Sequence, residues 1–136
     1  MSGEKDLDIL LRTLSARLVP GVHVFVTLPD DQVPDGISPR MMFREAEGTT
    51  LILLQSEAVA LGLPHTFPCR MITLDVHSSL EAVGFIARIG TAFAAHGLGI
   101  NPVAGFHHDH LFVANGREGD ALRILEQIAR DAGGNT

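Results

Sequence analysis

Polar side chains cluster at residues 75–81, where a predicted strand gives way to a predicted helix. Serine is a favoured helix N-cap, and Ser78 and Glu81 have the three-residue spacing of a capping box. The first backbone N–H groups of a helix have no partner inside it, so they attract a carboxylate. The segment therefore predicts a helix cap around Ser78 and Ser79, an anion-binding corner, or both at once.

A second polar candidate, Asn101, precedes Pro102 at the start of a predicted strand. Proline cannot donate to a strand ladder, so this strand should lie at a sheet edge. Asn101 either closes a turn after Gly99 or offers its amide to the amine or carboxylate of a ligand.

Histidines are concentrated at residues 107–110. Strand alternation places His108 and His110 on one face, where two imidazoles could chelate a divalent metal with Asp109 as an oxygen ligand. Only His77 is available to complete such a site. A polar turn between two strands is the simpler interpretation, and no metal is predicted.

The residue types of a hydrolase triad also occur, in Asp75, His77 and the two serines. The side chains of His77 and Ser78 diverge because the residues are adjacent, and no Gly-x-Ser-x-Gly turn is present. Phosphate-loop and dinucleotide-binding glycine signatures are missing as well. No catalytic residue and no cofactor are therefore predicted, and the chain is not expected to be an enzyme.

The composition of the 136-residue chain limits the classes of partner that it is expected to bind. Sixteen acidic and ten basic residues give a net charge of −6, which argues against a nucleic acid because phosphate binding needs clustered Lys and Arg. No run of about 18 apolar residues occurs, so no membrane-spanning helix is expected. A single cysteine, Cys69, fits a reducing compartment. We expect a soluble, cytoplasmic protein.

The second half of the chain predicts an ordered series of elements. A strand over 70–77 is followed by a helix over 81–96, strands near 100–106 and 110–114, and a helix over about 117–131. This is the split βαβ order of ferredoxin-like domains without the final strand. The helix over 81–96 is apolar around most of its circumference, so we expect one side to face its own sheet and the other to be covered by the first half or by a second chain.

The first half has similar contents in a different order. Helical spacing of leucines predicts a helix over 6–14, alternation predicts a strand over 22–28, and a hairpin over 41–54 and a short helix over 56–61 follow. The fold class is therefore α+β, with two ferredoxin-like subdomains that have antiparallel sheets and helices on one face. We place their boundary between residues 65 and 66, so that the subdomains comprise residues 1–65 and 66–136.

The order of elements after residue 70 resembles an ACT domain, a small regulatory module that binds amino acids. The chain is more closely similar to short bacterial proteins with two ACT-like halves, related to the regulatory region of aspartate kinases. The segments that carry this resemblance are residues 43–48, 67–70, 76–84 and 103–113.

The resemblance implies a non-catalytic regulatory module whose ligand is a small metabolite, an amino acid. In ACT modules the ligand lies at an interface, between the loop after the first strand and the second strand of a neighbouring unit. On this chain those positions are His77, Ser78, Ser79, Leu80 and Asn101. A homodimer and an enzyme partner acting in trans are further expectations. The alternative is a protein–protein interaction module without a small ligand.

Overall fold

A computed structural model describes residues 3–134 of the chain. That part of the chain contains four α-helices and six strands. Their bounds are α1 Leu7–Arg12, β1 Ala16–Leu28, β2 Met41–Glu45, β3 Gly48–Leu54, α2 Gln55–Ala60, β4 Thr66–Leu74, α3 Phe85–Ala95, β5 Asn101–Ala104, β6 Asp109–Ala114 and α4 Glu118–Ala132. None of these helices is long and apolar enough to cross a bilayer.

The strands form one antiparallel sheet in the order β2-β3-β1-β4-β6-β5. Each half of the chain contributes three neighbouring strands, and the order has the same form when read from either edge, with β1 matching β4, β3 matching β6 and β2 matching β5. The halves meet where β1 pairs with β4. The predicted antiparallel α+β fold is confirmed, with both halves in a continuous sheet. The division at residues 65 and 66 stays a prediction.

The helices lie on one face of this sheet, as predicted. Residues that are paired across an antiparallel ladder have their side chains on the same face of the sheet. Val22 is paired with Arg70, so every second side chain that follows these two residues in β1 and in β4 lies on this face. On this face α3 and α4 of the second half, together with α1 from the first half, pack over Ile72, Leu74, Leu111 and Val113. The first half packs α2 over Val24, Val26, Leu51 and Leu53. Two neighbouring cores on the same side of the sheet are the result.

The opposite face carries a third apolar cluster: Val19, Ile52, Cys69, Met71 and Phe112. His23 lies in this layer and is fully buried, and within residues 3–134 neither of its ring nitrogens has a hydrogen-bond partner. Its ring meets the edge of Phe112 with the centroids 6.1 Å apart. Burial also raises the pKa of the Cys69 thiol to about 11. Cys69 is therefore a protonated core residue that donates to the His23 carbonyl oxygen at 3.3 Å.

Acid should destabilise the fold through His23. Its pKa is lowered from 6.5, first by burial and then by the charge of Arg40, so the folded protein resists the proton that the unfolded chain takes up. The stabilisation is complete above pH 6.5 and is lost as the pH falls through the lowered pKa. Urea unfolding at about pH 7.5 and about pH 5.5 should show the lower midpoint in acid.

The variant His23→Leu should show a smaller acid loss than the wild type. A remaining loss is expected because burial also lowers the pKa of His110. The exposed His96 provides the control, since His96→Gln should keep the full pH dependence. Equal acid losses in His23→Leu and in the wild type would contradict this assignment.

Candidate functional site

The segment between β4 and α3 is a loop of turns, and the predicted helix start at residue 81 is wrong. Helix α3 begins at Phe85, and its N-cap Gly84 has a left-handed φ of 91°. The Ser79 hydroxyl accepts from the amide of Glu81 at 3.1 Å, and the Ser79 carbonyl accepts from the amide of Ala82 at 3.0 Å. These local bonds compete with helical ones, as serine side chains commonly do. The predicted capping box is consequently not formed.

Ser78 links this loop to the β5–β6 hairpin by a hydrogen bond. Its hydroxyl donates to Oδ2 of Asp109 at 3.0 Å, and both side chains are less than a tenth exposed. Asp109 is the first residue of β6 and pairs with Ala104 at the end of β5. A buried carboxylate without such a donor is costly, so this bond fixes the distance between loop and hairpin.

A cavity of about 230 Å³ lies between the loop and the hairpin. The loop and the first turn of α3 form one wall, and residues 104, 105 and 109 form the other. The backbone amides of Phe85, Ile86 and Ala87 have no acceptor within residues 3–134. Residues 85–87, which carry these unpaired N–H groups, therefore line the same cavity as Asp109.

The Ser79 amide, by contrast, is already occupied. It donates to the carbonyl oxygen of Glu4 at 2.9 Å, while the amide of Glu4 donates to the carbonyl oxygen of His77 at 2.8 Å. The N-terminal segment thus closes the corner where the sequence predicted free amides. The amides that remain for an anion lie six to eight residues further along, at the true start of α3.

The structure brings three of the five predicted ligand residues to the cavity: Ser78, Ser79 and Leu80, the last of them 68% exposed. His77 lies beside it, with its ring 5.5 Å from that of His107. Asn101 is further away. It pairs with Phe112 on the helix-free face, and three residues of strand, about 10 Å, separate it from Ala104.

Two features of the cavity were missed from the sequence. The sequence suggests Asp109 only as a metal ligand, whereas the pairing of β5 with β6 places it opposite Ser78. The free amides of residues 85–87 were assigned to positions near 79, because Ser78-Ser79 is a stronger N-cap signal than Gly84. The available hint in the sequence was Gly84 itself, because glycine is also an accepted N-cap residue.

The histidine cluster does not form a ligand set. Across residues 3–134, no three His, Cys, Asp or Glu side chains are placed to hold a metal ion. Nδ1 of His110 is 3.0 Å from the hydroxyl of Thr73, and Nδ1 of His108 is 3.3 Å from the carbonyl oxygen of Val76. His110 thus links β6 to β4, and His108 links the turn before β6 to the residues just after β4.

A model of the ACT domain matches residues 2–70 of the chain. The chain belongs to the ACT-domain family. A Vibrio cholerae protein of unknown function, described as a possible transport protein, is 39% identical, with 92% of this chain and 97% of that protein covered and a TM-score of 0.81. No curated protein shows significant similarity to the chain.

More distant solved structures share the ACT fold of this chain. An Agrobacterium tumefaciens protein is 16% identical, with 85% of this chain and 89% of that one covered and a TM-score of 0.70. The regulatory subunit of aspartate kinase from Thermus flavus is 11% identical, with 84% and 96% covered and a TM-score of 0.58. The predicted resemblance to the ACT regions of aspartate kinases is therefore confirmed at the level of fold.

Replacing Ser78 by alanine should destabilise this ACT-domain protein. The carboxylate of Asp109 would lose its buried donor, which costs about 1–3 kcal/mol of unfolding free energy. The exposed Ser56 in α2 provides a matched control, because Ser56→Ala removes a hydroxyl with no buried partner. Urea unfolding measures both variants, and an unchanged midpoint for Ser78→Ala would contradict this role of the bond.

Proposed function

We propose that the chain is a non-catalytic regulatory module that binds a small metabolite, an amino acid, in the cavity beside Ser78 and Ser79. The observation that carries the proposal is that residues 85–87, whose amides have no acceptor among residues 3–134, and Asp109 line one cavity of about 230 Å³. The ACT family supports a regulatory, ligand-binding role.

The two walls suit the two charges of an amino acid. The amides of residues 85–87 lie at the positive end of an 11-residue helix and can receive a carboxylate. The carboxylate of Asp109 can receive an ammonium group. Ala104, Ile86 and Leu80 line the remaining space and favour a modest apolar or short polar side chain. The volume suits a metabolite of few heavy atoms.

A second copy of the chain is the partner that fits the exposed surface beside the cavity. Val83 is 83% exposed and Phe106 is 61% exposed, and among the described residues no strand pairs with the outer edge of β5. Helix α3 buries Phe85, Ile89 and Phe93 in its own core, so its other side is free for another chain. His77 and Asn101 remain candidate ligand residues for a site completed at such an interface.

An enzyme regulated in trans, in the cytoplasm, completes the proposal. Regulatory subunits of aspartate kinase share the fold, which supports control of a separate catalytic protein rather than catalysis by the chain itself. The same exposed apolar side chains, Leu80, Val83 and Phe106, favour the second candidate, an interaction module without a small ligand.

Thermal shift with the twenty L-amino acids tests the ligand. A ligand at a hundredfold excess over its dissociation constant stabilises the folded state by about 2.7 kcal/mol, which raises the melting temperature by several degrees. The variant Ala104→Leu should abolish the shift because its side chain fills the cavity. In Ala60→Leu, at an exposed position on α2 that does not line the cavity, the shift should persist.

The outcome also separates the two candidates. A shift that Ala104→Leu removes supports amino-acid binding in the cavity. If no amino acid raises the melting temperature of the wild-type chain, the amino-acid proposal fails and the interaction module becomes the better account.

Sedimentation equilibrium tests the homodimer. The variant Val83→Glu should convert the dimer to a monomer, because it places a charge in the apolar surface beside α3. Val59→Glu is the matched control, since Val59 is 63% exposed on α2 at the other side of the molecule and should leave the dimer intact. A wild-type chain that is monomeric at all concentrations would contradict the homodimer.

A further inference from the structure

Residues 3–7 run along the outer side of the loop that forms the proposed site, and we name them the N-terminal strap. Glu4 makes a parallel bridge to Ser78, in which its amide donates to the carbonyl oxygen of His77 and its carbonyl accepts from the amide of Ser79. The two distances are 2.8 Å and 2.9 Å. The strap therefore acts as a short extra strand on a loop that has no other strand partner among the described residues.

Gly3 permits this approach for a steric reason. Its φ is +94°, and a Cβ at this position would lie 2.5 Å from the amide nitrogen of Ser79 and 2.7 Å from the carbonyl carbon of Ser78. Those atoms belong to the backbone and cannot move aside as a flexible side chain could. Only glycine can occupy this position without displacing the strap from the loop.

The strap also reaches the other end of the loop. Nζ of Lys5 lies 3.7 Å from a carboxylate oxygen of Glu81, an exposed and weak ion pair. A Cδ atom of Leu7, at the start of α1, would be 3.4 Å from a Cβ on Gly84, the N-cap of α3. Contacts thus extend from Ser78 to Gly84, while none of the strap residues lines the cavity.

We propose that the N-terminal strap positions the ligand-binding loop, so that the affinity of the cavity depends on residues outside it. On the inner side of the loop, Asp109 accepts a hydrogen bond from the hydroxyl of Ser78. On the outer side, the carbonyl oxygen of Glu4 in the strap accepts from the amide of Ser79. The link to ligand affinity rests on the proposed function, whereas the effect on the loop does not. Coupling of this kind is reciprocal, so a ligand in the cavity also stabilises the docked strap.

Amide hydrogen exchange at Ser79 tests the effect on the loop. In Gly3→Ala the added Cβ should displace the strap, and the Ser79 amide should exchange about tenfold faster or more, because local opening exposes it to water. Gly36→Ala is the matched control: Gly36 also has a positive φ, +77°, but a Cβ there meets no atom within 4 Å. The control should leave Ser79 protected.

A second variant separates displacement of the strap from general damage. Lys5→Glu opposes Glu81 with a like charge and should speed Ser79 exchange by a smaller factor, an effect that added salt reduces. Amides of the β1–β4 ladder should keep their protection in both variants. If Ser79 exchanges at the wild-type rate in Gly3→Ala, or if the ladder is lost together with it, the proposal is overturned.

Ligand binding tests the second part with the amino acid that gives the largest thermal shift of the wild-type chain. Gly3→Ala should bind that amino acid about tenfold more weakly, whereas Gly36→Ala should bind it normally. The same amino acid should slow exchange of the Glu4 amide in the wild type. Equal affinities in the two variants would overturn the positioning role. Faster Ser79 exchange with no amino acid bound by any variant would refute the proposed function alone.

Discussion

The pairing of β1 with β4 is the interaction on which the rest of this structure depends. Each half has only three strands, and neither the α2 core nor the α1–α3–α4 core could bury its sheet face without the neighbouring strand. The central pair also places Val19 beside Met71 and Phe112, which builds an apolar layer on the face without helices. A small protein gains stability steeply with buried area, so a shared sheet is the arrangement in which two small halves stabilise each other.

The cavity depends on this sheet through two short connections. Strand β4 ends near the start of the ligand loop, and β6 begins at Asp109. The pairing of β4 with β6 therefore fixes the positions at which the two walls of the cavity begin. Within that frame the Ser78–Asp109 bond fixes the inner contact, and the Glu4–Ser79 bonds fix the outer one. The loop itself contains few apolar anchors, because Leu80 and Val83 are exposed. Its shape is therefore determined by polar bonds to distant segments, and the sheet supplies their spacing.

The parts predictable from sequence are those governed by periodicity. Alternating apolar residues identified β1 and β4, extended runs identified β6 and the hairpin of β2 and β3, and helical spacing identified α1 and α4. The start of α3 was not predictable in this way, since Ser78-Ser79-Leu80-Glu81 satisfies every local signal of a helix cap. What overrides them is tertiary: Asp109 takes the Ser78 hydroxyl and Glu4 takes the Ser79 amide. Asn101 lies away from the cavity of its own chain because its pairing with Phe112 sets the strand register, which decides the face. Its role in a site shared with a neighbouring unit stays a prediction.

The two halves match in their strands but differ where a ligand would bind. The connection after β4 contains α3, whereas the connection after β1 contains only the three-residue turn Asp30–Gln32. In that turn the Asp30 carboxylate accepts from the hydroxyl of Thr49 at 2.6 Å, and both residues line a pocket together with Arg44. Between β1 and β2, a segment that the structure describes throughout, no α-helix begins, so the first half has no counterpart of the unpaired amides at the start of α3. The pseudo-symmetry of the strands therefore does not extend to the connections, and the ligand site proposed above belongs to the second half of the chain.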